Sequence, residues 1–285
     1  NALSTQNYGS NNYNVAVGYA TGTSVASGVQ NTLIGSLAGD AITDGANNVA
    51  IGYNALSTEA TGHGAVAIGA FALEVLNAGN TYNTAIGFNA GAVMTTGVQN
   101  TIIGSFAGDA LTTGEYNVAI GYAALSTEDA YGRNVAIGHE ALKTLNAVTD
   151  AYNVAIGYAA GELMSTGIRN TLMGGFAGDA LTTGGYNTAI GMQALSTETG
   201  GTQNVAIGTG ALELLNVNAA GNNTAVGYLA GQLMSTGTQN TLIGGLTGDA
   251  ISTGQQNTAI GYNALSAETT GSYTVAIGRG ALAGQ

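Results

Sequence analysis

One short phrase recurs throughout the chain: a β-branched residue, a small or apolar residue, then Ile, Val or Met, then Gly. The phrase occurs sixteen times in 285 residues, at intervals of 17 residues that lengthen to 18 or 19 at every fourth step. A fixed short period is typical of a solenoid, in which each repeat packs only on its neighbours. The sequence therefore predicts an all-β parallel β-roll, or β-solenoid, of sixteen coils of about 17 residues.

A longer period is superimposed on the 17-residue one, because four types of coil sequence follow one another in a fixed order. We number positions within a coil from the residue before the phrase, which is position 0 and is Asn in fourteen coils. Residues 1–285 are predicted to form a single continuous solenoid: a partial coil 1–13, then four-coil blocks 14–82, 83–152, 153–222 and 223–285. Neither end has a polar cap, so we expect a fragment of a longer fibre.

The phrase predicts a strand that is apolar on both faces. Position 1 is Val or Thr in every coil and position 3 is Ile, Val or Met, on one face because strand side chains alternate. Position 2 is Ala in twelve coils. We expect the position 1 and 3 face to fill an interior and the Ala face, with the Gly of position 4 allowing close approach, to pack against copies of the chain.

A coil of this length accommodates two strands of about five residues and two turns, which predicts two layers. Gly lies three residues before the next position 0 in eleven coils, where we expect a turn that uses positive φ. The Asn column at position 0 is expected to form a hydrogen-bonded amide ladder that satisfies backbone groups; a ligand-binding array is the alternative.

Composition argues against several classes of function. The net charge is −12, and only four basic residues are present, too few to displace counterions from nucleic acid. The chain has no apolar run of the roughly 18 residues that membrane insertion needs. We therefore predict no nucleic-acid partner, and no membrane insertion by this segment. Cysteine is absent, so no disulfide contributes to stability.

The phrase also resembles a known family. Asn-Val-Ala-Ile-Gly, as at 48–52 and 117–121, and Asn-Thr-Ala-Ile-Gly, as at 83–87, are similar to head repeats of YadA-like trimeric autotransporter adhesins. The longer wording at 257–266 resembles repeats of phage tail fibres. The resemblance implies a left-handed roll, a homotrimer, an extracellular location on a virion tail fibre or a bacterial surface, and attachment to a host-surface or extracellular-matrix receptor. The adhesin heads have shorter coils, which leaves adhesin and tail fibre both open.

No catalytic, cofactor-binding or metal site is predicted, and we expect no enzyme and no cofactor. The two histidines, His63 and His139, occupy different coil positions and lack a nucleophile partner. Tyrosines just past the phrase could form a surface-binding column that stacks on sugars, although aromatic residues in such places more often cover a thin core. These candidates are Tyr53, Tyr122, Tyr158, Tyr228 and Tyr262, with Phe88 in the same place.

The acidic residues follow the block structure. Asp40, Asp109, Asp179 and Asp249 share one place in the second coil type, and Glu59, Glu128, Glu198 and Glu268 share one in the third. Four coils separate successive members, about 19 Å at the strand spacing, so one chain cannot bring two to an ion. Symmetry-related copies of the Asp could hold a cation; turn capping is the simpler interpretation.

Three functions remain. The leading one is the structural shaft or head of an extracellular homotrimeric fibre that mediates attachment. The alternatives are a glycan- or receptor-binding adhesin domain acting through the Tyr columns and, less favoured, an ice-binding solenoid suggested by the Ser/Thr-Thr columns.

Overall fold

The computed structural model describes residues 2–6 and 11–284, so the predicted partial coil 1–13 lies partly outside the described residues. The chain is an all-β parallel solenoid with one three-residue strand at each occurrence of the phrase. The strands are β1 Val15–Val17, β2 Thr32–Ile34, β3 Val49–Ile51, β4 Val66–Ile68, β5 Thr84–Ile86, β6 Thr101–Ile103, β7 Val118–Ile120, β8 Val135–Ile137, β9 Val154–Ile156, β10 Thr171–Met173, β11 Thr188–Ile190, β12 Val205–Ile207, β13 Thr224–Val226, β14 Thr241–Ile243, β15 Thr258–Ile260 and β16 Val275–Ile277.

The chain divides into two compact units. The first, Asn1–His139, holds β1–β8, and the second, Glu140–Gln285, holds β9–β16. Within each unit every strand pairs in parallel with the next strand in sequence, and like positions lie side by side, as in Ala50 opposite Ala67. The predicted parallel solenoid is thus confirmed. Because the register is equal, residues at the same coil position lie in one line within each unit, and we call such a line a column.

The two strand faces are the reverse of our expectation. The position 2 side chain points into the coil's own core: Leu33, Ala50 and Ala189, for example, have no exposed surface. The residues at positions 1 and 3 point outward and remain partly accessible, and Ile34 and Ile243 are 37% and 40% exposed. The small Ala is inside because the coil is too thin to enclose a larger side chain in every layer. The face left without a covering element is the one that carries Val, Thr and Ile.

The predicted second strand is absent from the described residues. In its place, positions 5 to 8 form a turn in which positions 6 and 8 have positive φ, as in Phe106 at 58° and Leu125 at 53°. The turn still bonds from coil to coil: the N–H of Phe106 donates to the carbonyl of Phe88 at 2.9 Å. The pattern of apolar residues alone could not distinguish this turn, which we call the turn ribbon, from a strand, because both bury alternate side chains.

Two glycine columns serve close approach between neighbouring coils of the same chain. A Cβ on Gly157, at position 4, would stand 2.5 Å from the carbonyl oxygen of Gly174. The glycines three residues before the next position 0 do not have the positive φ that we predicted; a Cβ on Gly237 would instead meet the carbonyl oxygen of Gly254 at 2.6 Å. The left-handed residue is at position 16, as in Gln239 with φ 60°.

Core packing explains the four-coil period. The second coil of each block carries a large residue at strand position 2, and the first two coils carry Gly at position 8. A Cβ on Gly161 or on Gly178 would lie 2.8 Å from a methyl group of Leu172. The other two coils invert the arrangement, with Ala in the strand and a buried Leu at position 8, such as Leu195. The large strand residue of the second coil therefore fills the space beside the glycines of the first two coils, and a Leu at position 8 fills the layer from the turn side in each of the other two.

This complementarity is testable with two substitutions in the second unit. Leu172→Ala should lower the free energy of unfolding by about 2–5 kcal/mol, because it leaves a cavity. Gly178→Leu should also destabilise, since it overfills the same layer. The double variant recreates the Ala and Leu arrangement of other coils, so its loss should be clearly smaller than the sum in urea denaturation. Additive losses would contradict the packing argument.

Candidate functional site

The five predicted tyrosines do not form one uniform surface. All are about half exposed, from 48% for Tyr53 to 59% for Tyr228. Tyr53 and Tyr122 belong to a chain of rings in the first unit, and Tyr158 contacts the ring of Phe176 at 5.1 Å between centroids. The guanidinium of Arg279 lies over the ring of Tyr262 at 5.9 Å. Tyr53 and Tyr122 are therefore members of a group of aromatic side chains.

The grouped rings form what we call the aromatic ladder, on the surface of the first unit. Its successive centroid separations are 5.3, 6.0, 5.3 and 5.9 Å, and all four contacts are edge to face. His139 continues the line, stacked on Tyr122 at 5.1 Å. Edge-to-face pairs place the positive ring edge on the negative face of the next ring, which stabilises the rings mutually. The ladder consists of Tyr53, Phe71, Phe88, Phe106 and Tyr122.

Sequence reasoning missed two ladder members. Phe71 and Phe106 lie at position 6, one residue beyond the tyrosine column, in the coils between those of Tyr53, Phe88 and Tyr122. The signal was present as aromatic residues in five successive coils. It was not visible in a single column, because the rings alternate between two positions and meet only when the coils stack.

The Asn column forms the predicted ladder, inside each unit. The backbone N–H of Asn117 donates to Oδ1 of Asn100 at 2.8 Å, and Asn100 Nδ2 donates to the carbonyl of Gly114 at 2.9 Å. The same bonds recur in the second unit, where Asn170 accepts from Asn187 N–H at 3.0 Å. Both amide ends are thus bonded to the protein, and these residues are buried. The alternative of a ligand-binding array is not favoured by this geometry.

The Glu column of the third coil type is a set of carboxylates inside the fold. Glu198 has no exposed surface, although it occupies position 11, where coils of the other three types within the described residues place Leu, Met, Ile or Val. Its Oε1 accepts from the N–H groups of Thr199 and Gly201 at 3.0 and 2.7 Å, and its Oε2 accepts from Val217 N–H at 3.0 Å. Glu59 makes equivalent bonds to Gly62 and Ala78. The carboxylate ties its own turn to the longer turn at the block end.

The last member of this column shows the electrostatic consequence. The pKa of Glu268 is lowered, first by the N–H of Gly271 and then by that of Thr270, because both bonds favour the ionised form. A lowered pKa adds stability above the pKa of the unfolded chain, and this contribution is lost as the pH falls through the folded value. The hydrogen bonds of Glu59 and Glu198 are therefore structural, and at Glu268 the stabilising contribution weakens in acid.

We expect Glu198→Gln to lower the free energy of unfolding by about 1.5–3 kcal/mol, the range for hydrogen bonds to charged groups. The amide has one acceptor atom, so its NH₂ would face a backbone N–H. The matched control is Glu213→Gln, because the carboxylate of Glu213 accepts a side-chain amide, from Gln232 at 2.8 Å, and no backbone N–H of the described residues. Thermal unfolding should show the loss for Glu198→Gln alone; equal losses in both variants would contradict the assigned role.

The four Asp of the second coil type are poorly solvated for carboxylates. In Asp40, Asp109, Asp179 and Asp249 the Oδ1 atom is buried and accepts no hydrogen bond from the described residues. Burial raises the pKa of all four carboxyls, and Glu162 adds a smaller repulsive effect at Asp179. The described residues contain no group of three side chains that could hold a metal ion. Backbone N–H groups of the turn still act on these carboxyls, and those of Asp40 and Ala41 partly offset the rise in the pKa of Asp40, which agrees with turn capping, our simpler interpretation.

Asp109→Asn should stabilise the protein at pH 7 and leave its stability almost unchanged near pH 3. A folded pKa above the unfolded one means that the folded state loses stability as pH rises through the two values. Asn removes the charge that causes this loss. Urea denaturation at both pH values measures the effect, with the exposed Asp44→Asn as the control. A gain of the same size at pH 3 would rule out this explanation.

The histidines have structural contacts. His63 Nδ1 accepts the backbone N–H of Ala46 at 2.8 Å, and His139 stacks on Tyr122 as described above. Neither contact includes a nucleophilic side chain, and we continue to predict that this chain is not an enzyme.

The Ser/Thr column at position 12 is engaged in holding the coils together. The hydroxyls of Thr95, Ser165 and Thr182 donate to carbonyls one coil further on, at 3.1, 3.1 and 3.0 Å. Ice binding needs a regular array of groups free to meet water. Since these hydroxyl protons are already bonded within the fold, the position 12 column is poorly suited to ice, whereas the Thr of position 13, such as Thr113 and Thr183, is exposed. Ice binding therefore stays the less favoured alternative.

Comparison with the models of known protein families and with curated proteins finds no match. Within residues 2–6 and 11–284, no helix has the length and apolarity needed to cross a bilayer. The function is therefore argued from the site geometry and the resemblance of the repeat.

Proposed function

We propose that this chain is the structural shaft or head segment of an extracellular homotrimeric fibre that mediates attachment to a host or surface, as a phage tail fibre or trimeric adhesin does. The observation that carries the proposal is the outward strand face. In each unit it presents two continuous columns, Val or Thr at position 1 and Ile, Val or Met at position 3.

These columns form an apolar strip that no element of the described chain covers. Most residues in them are partly accessible, and Ile260 is 37% exposed. A soluble protein rarely leaves a contiguous apolar strip of this kind in water unless something binds it. Burying the remaining exposed part of each Ile would contribute on the order of 1 kcal/mol. Over many coils, these small contributions add up to a stable assembly.

The regularity of the strip favours copies of the same chain as its occupants. Equivalent side chains recur at every coil, about 4.8 Å apart. Only a partner with the same repeat can contact each coil equivalently, and a second copy has that repeat. Three copies is the number implied by the resemblance to YadA-like heads and tail fibres. Our expectation that the Ala face makes this contact is replaced by the Val/Thr and Ile face.

Sedimentation velocity tests the proposal. The wild-type chain should sediment as a trimer at micromolar concentration. Ile120→Lys combined with Ile190→Lys should give monomers, because it places a charge at position 3 of the strip in each unit. The matched control is Thr113→Lys with Thr183→Lys, at exposed positions away from the strands, which should leave the trimer intact. A wild-type monomer would refute the fibre proposal.

A further inference from the structure

The aromatic ladder is not required by the core or by the outward strip. Its rings lie outside the coil interior, and Tyr53, Phe88 and Tyr122 are 48%, 44% and 49% exposed. Other coils place Ser36 or Met192 at the same position, so the fold does not demand a ring there. Five adjacent aromatic side chains held at a surface therefore point to a ligand.

The ladder is a linear row of rings that runs from coil to coil. Its members come from five successive coils of the first unit and alternate between positions 5 and 6. The edge-to-face contacts fix each ring, so little side-chain entropy remains to be lost on binding. Rings from the same coil position recur every second coil, about 9.6 Å apart at the strand spacing. The described residues enclose no pocket, so the surface suits an extended polymer lying along the coils.

The chemistry of the ladder favours sugar. The face of an aromatic ring is electrostatically negative, and it attracts the C–H groups on the apolar face of a pyranose. None of the five members carries a charge, and the net charge of −12 disfavours an anionic polymer. We propose that the aromatic ladder binds a neutral polysaccharide by stacking its sugar rings on the exposed aromatic faces. The proposal deepens the attachment role proposed above and rests on it for its biological setting.

Calorimetric titration of the full chain with cellohexaose, chitohexaose and maltohexaose tests this inference. At least one hexasaccharide should bind. Phe88→Ala with Tyr122→Ala should weaken that binding about tenfold or more, since each stacking ring contributes a measurable share. The matched control, Tyr228→Ala with Tyr262→Ala, removes two half-exposed tyrosines from the same coil position outside the ladder, and should change the affinity less than twofold.

A second variant separates ring stacking from a general loss of structure. Phe88→Leu with Tyr122→Leu keeps apolar bulk but removes the ring faces, and it too should weaken binding while circular dichroism stays unchanged. The proposal is overturned if no hexasaccharide binds the wild type, if the leucine variant binds normally, or if the control pair weakens binding equally.

Sedimentation of the same variants distinguishes this proposal from that of the fibre. A ladder variant that loses the trimer would make the rings a contact between copies and overturn the glycan assignment. A wild-type monomer that still binds a hexasaccharide through the ladder would overturn the fibre and leave the assignment standing.

Discussion

Hydrogen bonding between successive coils, in equal register, is the constraint on which the rest of this structure depends. Each coil has only three strand residues, so the sheet alone bonds a small part of the backbone. The Asn column extends this bonding to the residue before each strand. The turn at positions 5 to 8 also bonds from coil to coil, through N–H groups such as that of Phe106. The Glu column bonds the longer turns at the block ends to the coil before them. Together they satisfy backbone groups that a thin coil could not otherwise bury.

Equal register has a second consequence, because it turns every coil position into a column. Inside, large and small residues must complement each other between neighbouring coils, and the four-coil period follows because the large strand residue of the second coil fills the space beside the glycines of two coils. Outside, the same rule produces the Val/Thr and Ile strip and the aromatic ladder. The proposed assembly and the proposed glycan track therefore arise from one geometric property, although they use different residues and can fail independently.

Carboxylates in this fold illustrate how local partners decide the role of a residue. Glu198 occupies a core position, yet it is satisfied by three backbone N–H groups. Asp109 has a buried oxygen with no described hydrogen-bond donor, and burial raises the pKa of its carboxyl. The sequence shows both as regularly spaced acids. Only the direction in which each side chain points determines that the carboxylate of Glu198 accepts backbone N–H groups, whereas burial makes the ionisation of Asp109 less favourable.

The sequence by itself determined the parallel solenoid, the coil boundaries and the buried Asn ladder, because a period of 17 with β-branched residues and a recurrent amide admits few other arrangements. It did not determine which strand face is inside, since Ala and Ile are both apolar; the tertiary structure decided this by the narrow width of the coil. It also did not distinguish a second strand from a turn ribbon with positive φ. The ladder of Tyr53 to Tyr122 depends on rings from two positions meeting across coils, which only the stacking of those coils brings about.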